Sequence, residues 1–249
     1  CSSDLLVLDR ALEPAPGRGL VPLVSRDLPT YLEQESLWSA LQTAAPAVPR
    51  GLLLDIGCGD KPYAALFPQV SRYIGIDLPP TTPVVRRPDV WASALSLPFA
   101  DRCFETVFCA QVLEHVPRPE ELLREAFRVL KVGGQIILTV PQTWGLHEEP
   151  HDYYRFTRYG LQYLLEDAGF QVRSIEPRGG AFRMMGQTFL STYYLRKQIP
   201  RLTPGLRAFN RSWNSLFAYL DRRWPWNKDT LGYIACANRP DDEAERGKE

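Results

Sequence analysis

The chain has 249 residues and a mass of 28.3 kDa, enough for one large domain or two small ones. Hydrophobic residues at 45% and charged ones at 23% exclude a disordered chain, a collagen and a coiled coil. Lys and Arg total 29, as do Asp and Glu, so no basic excess points to nucleic acid.

Five cysteines (Cys1, Cys58, Cys103, Cys109, Cys236) are odd in number and form no C-x-x-C pair. That argues against a disulfide framework or a zinc knuckle and for a reducing, cytoplasmic setting. The longest uncharged apolar-leaning run, 184–195, falls short of the ~20 residues a membrane span takes. The first five residues, 1–5, read as the translated end of a sequencing adapter, and an assembly artefact is expected there.

Residues 6–29 are rich in Pro, Gly and Arg without a sustained period, so 1–29 reads as an irregular lead-in. A helix is expected from Thr30, its candidate cap, through Leu32, Leu37, Trp38 and Leu41. Short apolar runs at 51–56, 73–77, 106–110 and 135–140 read as strands buried on both faces. Between the last two, 119–130 is an amphipathic helix with Leu122, Leu123, Ala126, Phe127 and Leu130 on one face, closed by Gly133 and Gly134. Thr157 caps another helix, through Leu161, Leu164, Leu165 and Ala168 to a stop at Gly169. Residues 170–175 alternate as a strand, and 231–236 form a late one. Strands alternating with helices predict an α/β domain over 30–240 with a largely parallel sheet. The segment 177–230 interrupts that rhythm, and the charged tail 241–249 is expected to be disordered.

The chemistry starts at residues 52–59, where an apolar strand runs into Gly57-Cys58-Gly59. Glycines there let the chain turn tightly and let a ligand lie against the backbone. Asp77 ends the second strand, where a carboxylate can accept bonds from both hydroxyls of a ribose. A dinucleotide fingerprint would need glycine where Pro62 stands, and the triphosphate motif G-x-x-x-x-G-K-[ST] is absent, so a pyrophosphate cradle is poorly supported. Asp55 beside the turn suits an ammonium instead. S-adenosylmethionine, with its amino group, sulfonium and ribose, fits both features.

Asp55-Ile-Gly-Cys-Gly59, Tyr73-Ile-Gly-Ile-Asp77, Leu97-Pro-Phe99, Phe104-Glu-Thr-Val107, Val112-Leu-Glu-His-Val116 and Leu130-Lys-Val-Gly-Gly134 stand in that order. Together with Lys61-Pro-Tyr63 and His151-Asp-Tyr-Tyr-Arg-Phe-Thr157, they resemble class I S-adenosylmethionine-dependent methyltransferases of the type 11 branch. The resemblance covers about residues 50–175 and the last strand, 231–238. It implies a Rossmann-like, doubly wound seven-stranded sheet of order 3-2-1-4-5-7-6, with a helical insertion before the last strand. It also implies methyl transfer by in-line SN2 displacement to a small-molecule, glycan or lipid-linked acceptor.

Carried over by position, the resemblance puts Asp55, Gly57, Cys58 and Gly59 along the methionine moiety. Asp77 would hold the ribose, and Leu78 would lie against the adenine. Ala94 and Leu95 would form the adenine edge, and Ala110 and Gln111 would lie below the sulfonium. Ser93 departs from the family's usual acidic residue before Ala94, and Glu105 from its usual Phe-Asp opening of the fourth strand. Alternatives on the same fold are a non-catalytic nucleoside-binding module and an aminopropyl-transferase-like relative.

Base-methylating enzymes resemble one another in a [D/N/S]-P-P-[F/Y] turn, but this chain has Ala110-Gln-Val-Leu113. Cys109 follows Phe108 rather than the proline of a cytosine-5 nucleophile, so nucleic acid is not an expected partner. Residues 147–151 spell H-E-x-x-H, but Pro150 disfavours the helix a zinc protease needs, so no metal site is expected. This loop follows the fifth strand at the edge where ligands bind. His151 paired with Asp152 is the expected general base, with His147 second. His115 reads as structural.

The insertion 177–230 holds ten basic residues against Asp221 and Asp229 in a chain of zero net charge. Leu206, Phe209, Trp213, Leu216, Phe217 and Leu220 recur at helical spacing as one apolar face, with Arg207 and Arg211 off it. An acceptor lid is expected. The variant is a helix lying on the anionic inner face of a membrane.

Overall fold

The computed structural model describes residues 12–15, 18–22, 24–79, 87–197 and 202–241. The expectations for 1–5 and for the tail beyond Asp241 lie outside those residues. Leu12–Ala15 and Arg18–Pro22 pair as an antiparallel hairpin inside the expected irregular lead-in.

Seven strands follow: β1 (Leu52–Ile56), β2 (Arg72–Asp77), β3 (Val90–Trp91), β4 (Phe104–Ala110), β5 (Leu130–Pro141), β6 (Gln171–Arg178) and β7 (Gly232–Asn238). They form one sheet in the order β3-β2-β1-β4-β5-β7-β6. The first five run parallel, and β7 inserts antiparallel between β5 and β6. This is the expected Rossmann-like sheet. β3 has only two residues, too few to carry a period.

Among the described residues the α-helices are α1 (Tyr31–Ala44), α2 (Pro119–Val129), α3 (Arg158–Asp167), α4 (Ala181–Lys197) and α5 (Pro204–Arg223). Successive side chains of a strand point to opposite faces, which makes two cores. Leu54, Ile56, Val107, Cys109, Ile136 and Leu138 meet Leu122, Leu123 and Ala126 of α2 and Leu161 and Leu165 of α3. Leu53, Phe108, Ile137 and Ile234 face the other way, onto Leu37 and Leu41 of α1.

Local chemistry explains most of the ends. Pro119 starts α2, Glu120 and Glu121 lie in its first turn and Arg128 in its last, each suited to the helix dipole. The Thr157 hydroxyl accepts the Gly160 N–H at 3.0 Å and caps α3. Two expectations need correction. Thr30 precedes α1 but makes no side-chain cap. Gly133 and Gly134 do not close α2; they lie within β5, because fully buried Leu130 pulls the chain straight into the sheet beside Phe104.

The expected apolar face of α5 is divided. Leu206, Trp213, Phe217 and Leu220 are half-buried, Phe217 against Tyr31 and Leu32, but the fully buried residues lie beside that face. Phe209 is 41% and Leu216 50% exposed, while Asn210, Asn214 and Ala218 are the buried residues. Asn210 Nδ2 donates to the Asp27 carbonyl at 2.8 Å, and Asn214 Nδ2 reaches the Arg26 and Leu28 carbonyls at 2.8 and 2.9 Å. Residues 24–30 form an irregular strand-free segment whose carbonyls need donors, and the amides supply them. A small cluster of Tyr31, Leu32 and Ala218 joins α1 to α5, so the insertion shares its packing with α1. We expect Asn214→Ala to cost about 1–3 kcal/mol in urea unfolding, because it orphans buried carbonyls. Phe209→Ala should cost less than about 0.5 kcal/mol. The reverse ranking would return the seat to the apolar face.

Candidate active site

The glycine turn after β1 sits on the end of β2. The N–H groups of Gly57 and Cys58 both donate to the Ile76 carbonyl at 2.9 Å. Gly57 has φ 71° and Gly59 φ 50°, conformations that favour glycine. A side chain at Gly57 would run into Val112, and one at Gly75 of β2 would meet Cys58 Sγ at 2.6 Å. A Cβ at Gly59, by contrast, meets nothing within 4 Å, so its backbone borders open space. Such a cradle is what a cofactor lying against the chain requires.

Two carboxylates frame this cradle. Asp77 Oδ2 accepts the Gly59 N–H at 2.8 Å, and Oδ1 accepts the Leu78 N–H at 2.7 Å. Asp55 is buried and accepts from the Tyr73 hydroxyl at 2.5 Å. Burial, with Asp77 nearby, pushes the Asp55 carboxyl up to about 8, although the Tyr73 bond opposes this. The same burial and the two carboxylates raise the Cys58 thiol to about 12, which keeps it an inert thiol. Leu78 is 58% exposed beside the cradle. Ala94 and Leu95 are half-buried past β3, in a turn where the Ser93 hydroxyl accepts the Leu95 N–H at 3.2 Å. Glu105 does structural work, accepting the Leu52 N–H at 2.7 Å and pairing with Lys131.

Gln111 follows Ala110 at the end of β4, with φ 55°. Its N–H donates to the Thr139 carbonyl at 3.0 Å, and its Nε2 to the Thr139 hydroxyl at 3.1 Å. It opens onto a cavity of about 300 Å³, walled by Trp38, Tyr63, Trp144, Gln34, His147 and Arg178 among others. Arg178, at the end of β6, is fully buried; it donates to Glu33 of α1 at 3.1 Å and to Gln111 Oε1 at 3.4 Å. The side-chain oxygen of Gln34 and the Nε of Arg178 are buried without hydrogen-bond partners. All described wall residues come from α1, the loops and the strand ends, and none from α4 or α5. The insertion therefore braces α1, and α1 covers the cavity.

The loop after β5 assembles a different pair from the expected one. Asp152 does not meet the His151 side chain. Its carboxylate is gripped by Arg155 at 2.6 and 2.7 Å, accepts the His147 N–H at 3.0 Å and lies 3.3 Å from His147 Nδ1. The Arg155 guanidinium holds Asp152 down at about 2, and burial with His115 nearby lowers His147. His151 is exposed, with Nδ1 3.1 Å from the Tyr153 hydroxyl. The chain from His147 to His151 is a loop, as Pro150 implied. His115, expected to be structural, lies edge-to-face on His147 with ring centroids 4.6 Å apart. Sequence reading missed Glu33, Gln34, Trp38, Glu114, Trp144 and Arg178; only Arg178 carried a signal, a basic residue ending a strand.

The sheet has the strand order that the resemblance to class I methyltransferases implied. A family profile described as a methyltransferase domain, of type 11, matches residues 54–138. An uncharacterized methyltransferase of Mycobacterium leprae (strain Br4923) is 38% identical over 112 residues, which cover 41% of this chain and 41% of that protein. The chain thus spans about two fifths of the length of the curated relatives it matches. Among solved structures, the [4+2]-cyclase SpnF aligns with a TM-score of 0.56 at 20% identity, over 84% of this chain and 82% of its own. An S-adenosylmethionine dependent methyltransferase from Mesorhizobium loti aligns with a TM-score of 0.51 at 16% identity, over 84% and 100%. The structures establish the fold. The profile bears out the resemblance over residues 54–138, which match a methyltransferase domain, a domain whose cofactor is S-adenosylmethionine.

Asp55 offers a direct test of that cofactor. Its folded pKa of about 8 exceeds the unfolded value near 3.9, so the folded chain alone keeps this proton between roughly pH 4 and 8. Asp55 therefore costs stability progressively as pH rises through that window. We expect Asp55→Asn to raise Tm more at about pH 8 than at about pH 5. An ammonium beside Asp55 favours its carboxylate, so S-adenosylmethionine binding near neutral pH should release close to one proton. Calorimetry in buffers of different ionisation enthalpy measures it, and Asp55→Asn should abolish the release.

Proposed function

We propose that the chain methylates an acceptor with an apolar or aromatic body and one hydroxyl or amine, seated in the cavity beside Gln111. The acceptor is a small molecule, a glycan or a lipid-linked molecule. One observation carries this reading: the cavity is walled by Pro62 and Tyr63, which follow the glycine turn in the chain, and by Gln111, which follows β4. S-adenosylmethionine, when bound, supplies an electrophilic methyl group.

The chain's own work is placement, exclusion of water and proton handling. Holding an acceptor in line can be worth ~7–11 kcal/mol. Trp38, Tyr63 and Trp144 exclude water, while Gln34 Oε1 and Arg178 Nε are orphan polar atoms that an acceptor's polar group satisfies. His147 lines the cavity with Asp152 behind it, so His147 replaces His151 as the group that takes the acceptor's proton. SpnF, a cyclase, marks other chemistry on this sheet; the nucleoside-binding module and the aminopropyl transferase are the alternatives.

Calorimetric titration with S-adenosylmethionine separates these. Wild type should bind, and Asp77→Ala should lose about 1.5–3 kcal/mol of binding free energy, the value of hydrogen bonds to a charged group. No binding by wild type overturns the reading, and binding without turnover on any acceptor favours the module. With a hydroxyl acceptor, His147→Ala should lower kcat by about 10²–10⁴-fold, and His151→Ala by less than about twofold.

A second reading concerns α4 and α5. Met185, Phe189, Phe209, Leu216, Tyr219 and Trp224 are exposed there, and Phe189 stacks on Trp213 with centroids 4.4 Å apart. We propose that this face touches an anionic membrane surface when the acceptor is lipid-linked. The charge available is smaller than the composition of 177–230 implies. Arg178 is buried on Glu33, Arg183 on Glu35 and Asp221, and Arg211 is paired with Asp27. Arg207, Arg222, Arg223 and Lys228 remain exposed, each worth about 1 kcal/mol near such a surface. Among the described residues no helix is long and apolar enough to cross a membrane. Sedimentation with anionic liposomes at low salt should pull the protein down, and Gln at Arg207, Arg222 and Arg223 should release it. Protein left in the supernatant would remove the membrane contact.

A further inference from the structure

We infer that Glu114, His115 and His147 form a binding site for one divalent transition-metal ion at the edge of the cavity. Each offers one ligand atom, and these atoms all lie within 4.8 Å of one another. Glu114 and His115 come from the short turn Leu113–His115 after β4, and His147 from the loop after β5. Folding, not local sequence, brings them together.

Three observations besides proximity point to a cation. First, Glu114 is completely buried, and neither carboxylate oxygen has a hydrogen-bond partner. An unmatched carboxylate in a dry site costs several kcal/mol unless a positive partner meets it. Second, each imidazole is already engaged at Nδ1. His115 Nδ1 lies 2.7 Å from the His151 carbonyl, and His147 Nδ1 lies 3.1 Å from the Gly145 carbonyl, with Asp152 Oδ2 at 3.3 Å. A proton donated on that side leaves Nε2 with a free lone pair, and such outer partners are what orient metal-binding histidines. Third, His115 Nε2 faces Glu114 Oε1 at 3.9 Å, near but outside hydrogen-bond range. Ligands at about 2.0–2.1 Å on a tetrahedral ion stand about 3.3 Å apart, so a closure of up to about 1.5 Å forms the shell.

Arg155 and Arg178 lie near enough to favour the Glu114 carboxylate, but neither bonds it. Arg155 is taken up by Asp152 and Arg178 by Glu33. Two imidazoles and one carboxylate select Zn²⁺, Fe²⁺ or Co²⁺ over Mg²⁺ and Ca²⁺, which prefer all-oxygen shells. The site uses the first histidine of the H-E-x-x-H run but not the second; the other two ligands lie in Val112-Leu-Glu-His-Val116. Its role rests on the acceptor reading above. In the metal-free protein His147 takes the acceptor's proton; with an ion on its Nε2, the ion would instead lower the pKa of a bound acceptor hydroxyl, and that proton would leave to water.

Metal binding is testable without turnover. Chelator-treated full-length protein is titrated with Co²⁺, read by its visible absorption, and with Zn²⁺, read by elemental analysis. We expect one ion per chain, and at least about tenfold weaker binding in His115→Ala and in His147→Ala. His151→Ala, which keeps the carbonyl that His115 uses, should bind as wild type. Wild type that takes up neither ion, or two histidine variants that bind like wild type, would overturn the inference. S-adenosylmethionine affinity measured on the same samples separates the two ideas. Intact cofactor binding without metal removes the metal site alone, and metal uptake without cofactor binding keeps it and removes the methyltransferase reading.

Discussion

Burying a guanidinium costs several kcal/mol unless good partners meet it, and Arg178 is the largest fully buried side chain among the described residues. It ends β6 and reaches Glu33 on α1 and Gln111 after β4. One cation therefore ties together the far edge of the sheet, the helix that covers the cavity and the cavity wall after β4. Gln111 is held from its other side by Thr139 of β5. The cavity's shape depends on this cluster, because its remaining walls are loops and aromatic rings that have no ladder to fix them.

The same logic recurs where the insertion meets the domain. Gln187 of α4 accepts the Glu33 N–H at 3.1 Å and donates to the Pro29 carbonyl at 2.8 Å. Asn210 and Asn214 of α5 bond the carbonyls of Asp27, Arg26 and Leu28, and Tyr194 donates to Asn210 at 2.7 Å. Apart from Asn214 Oδ1, which lacks a partner, these buried amides are bonded, and such networks hold one geometry where apolar faces tolerate sliding. This network fixes α1, and with it the position of Glu33, Gln34 and Trp38 over the acceptor side. It also leaves Phe209 and Leu216 of α5 facing outward.

At the cofactor side the constraint is electrostatic. Asp55 and Asp77 close on one small turn, and burial keeps the first from ionising until a cation arrives. Glu114, raised to about 8 by burial, repeats the pattern on the acceptor side of β4. Asp55 lies in β1 and Glu114 in the turn that follows β4, so both buried acids come from the carboxyl ends of neighbouring strands.

The sheet and the cradle were legible in the amino-acid sequence because both rest on local patterns. Apolar runs of strand length, glycines after β1 and a carboxylate ending β2 are determined within a few residues of each other, and their order carries the resemblance to methyltransferases. The strand order and the antiparallel β7 came with that resemblance, and periodicity alone does not supply them. β3 escaped detection because two residues have no period. Only tertiary structure decided the acceptor side. Asp152 turned from its chain neighbour His151 to Arg155 and His147, since a bidentate guanidinium outweighs adjacency in sequence. α5 is seated by its amide face, whose Asn210 and Asn214 bond the carbonyls of Arg26, Asp27 and Leu28, as well as by half-buried Trp213 and Phe217. Glu33, Glu114, His147 and Arg178 lie far apart in the chain, so nothing in their spacing could announce a shared site. Short-range sterics and hydrophobic period are written locally, whereas the matching of buried charges exists only once distant segments have met.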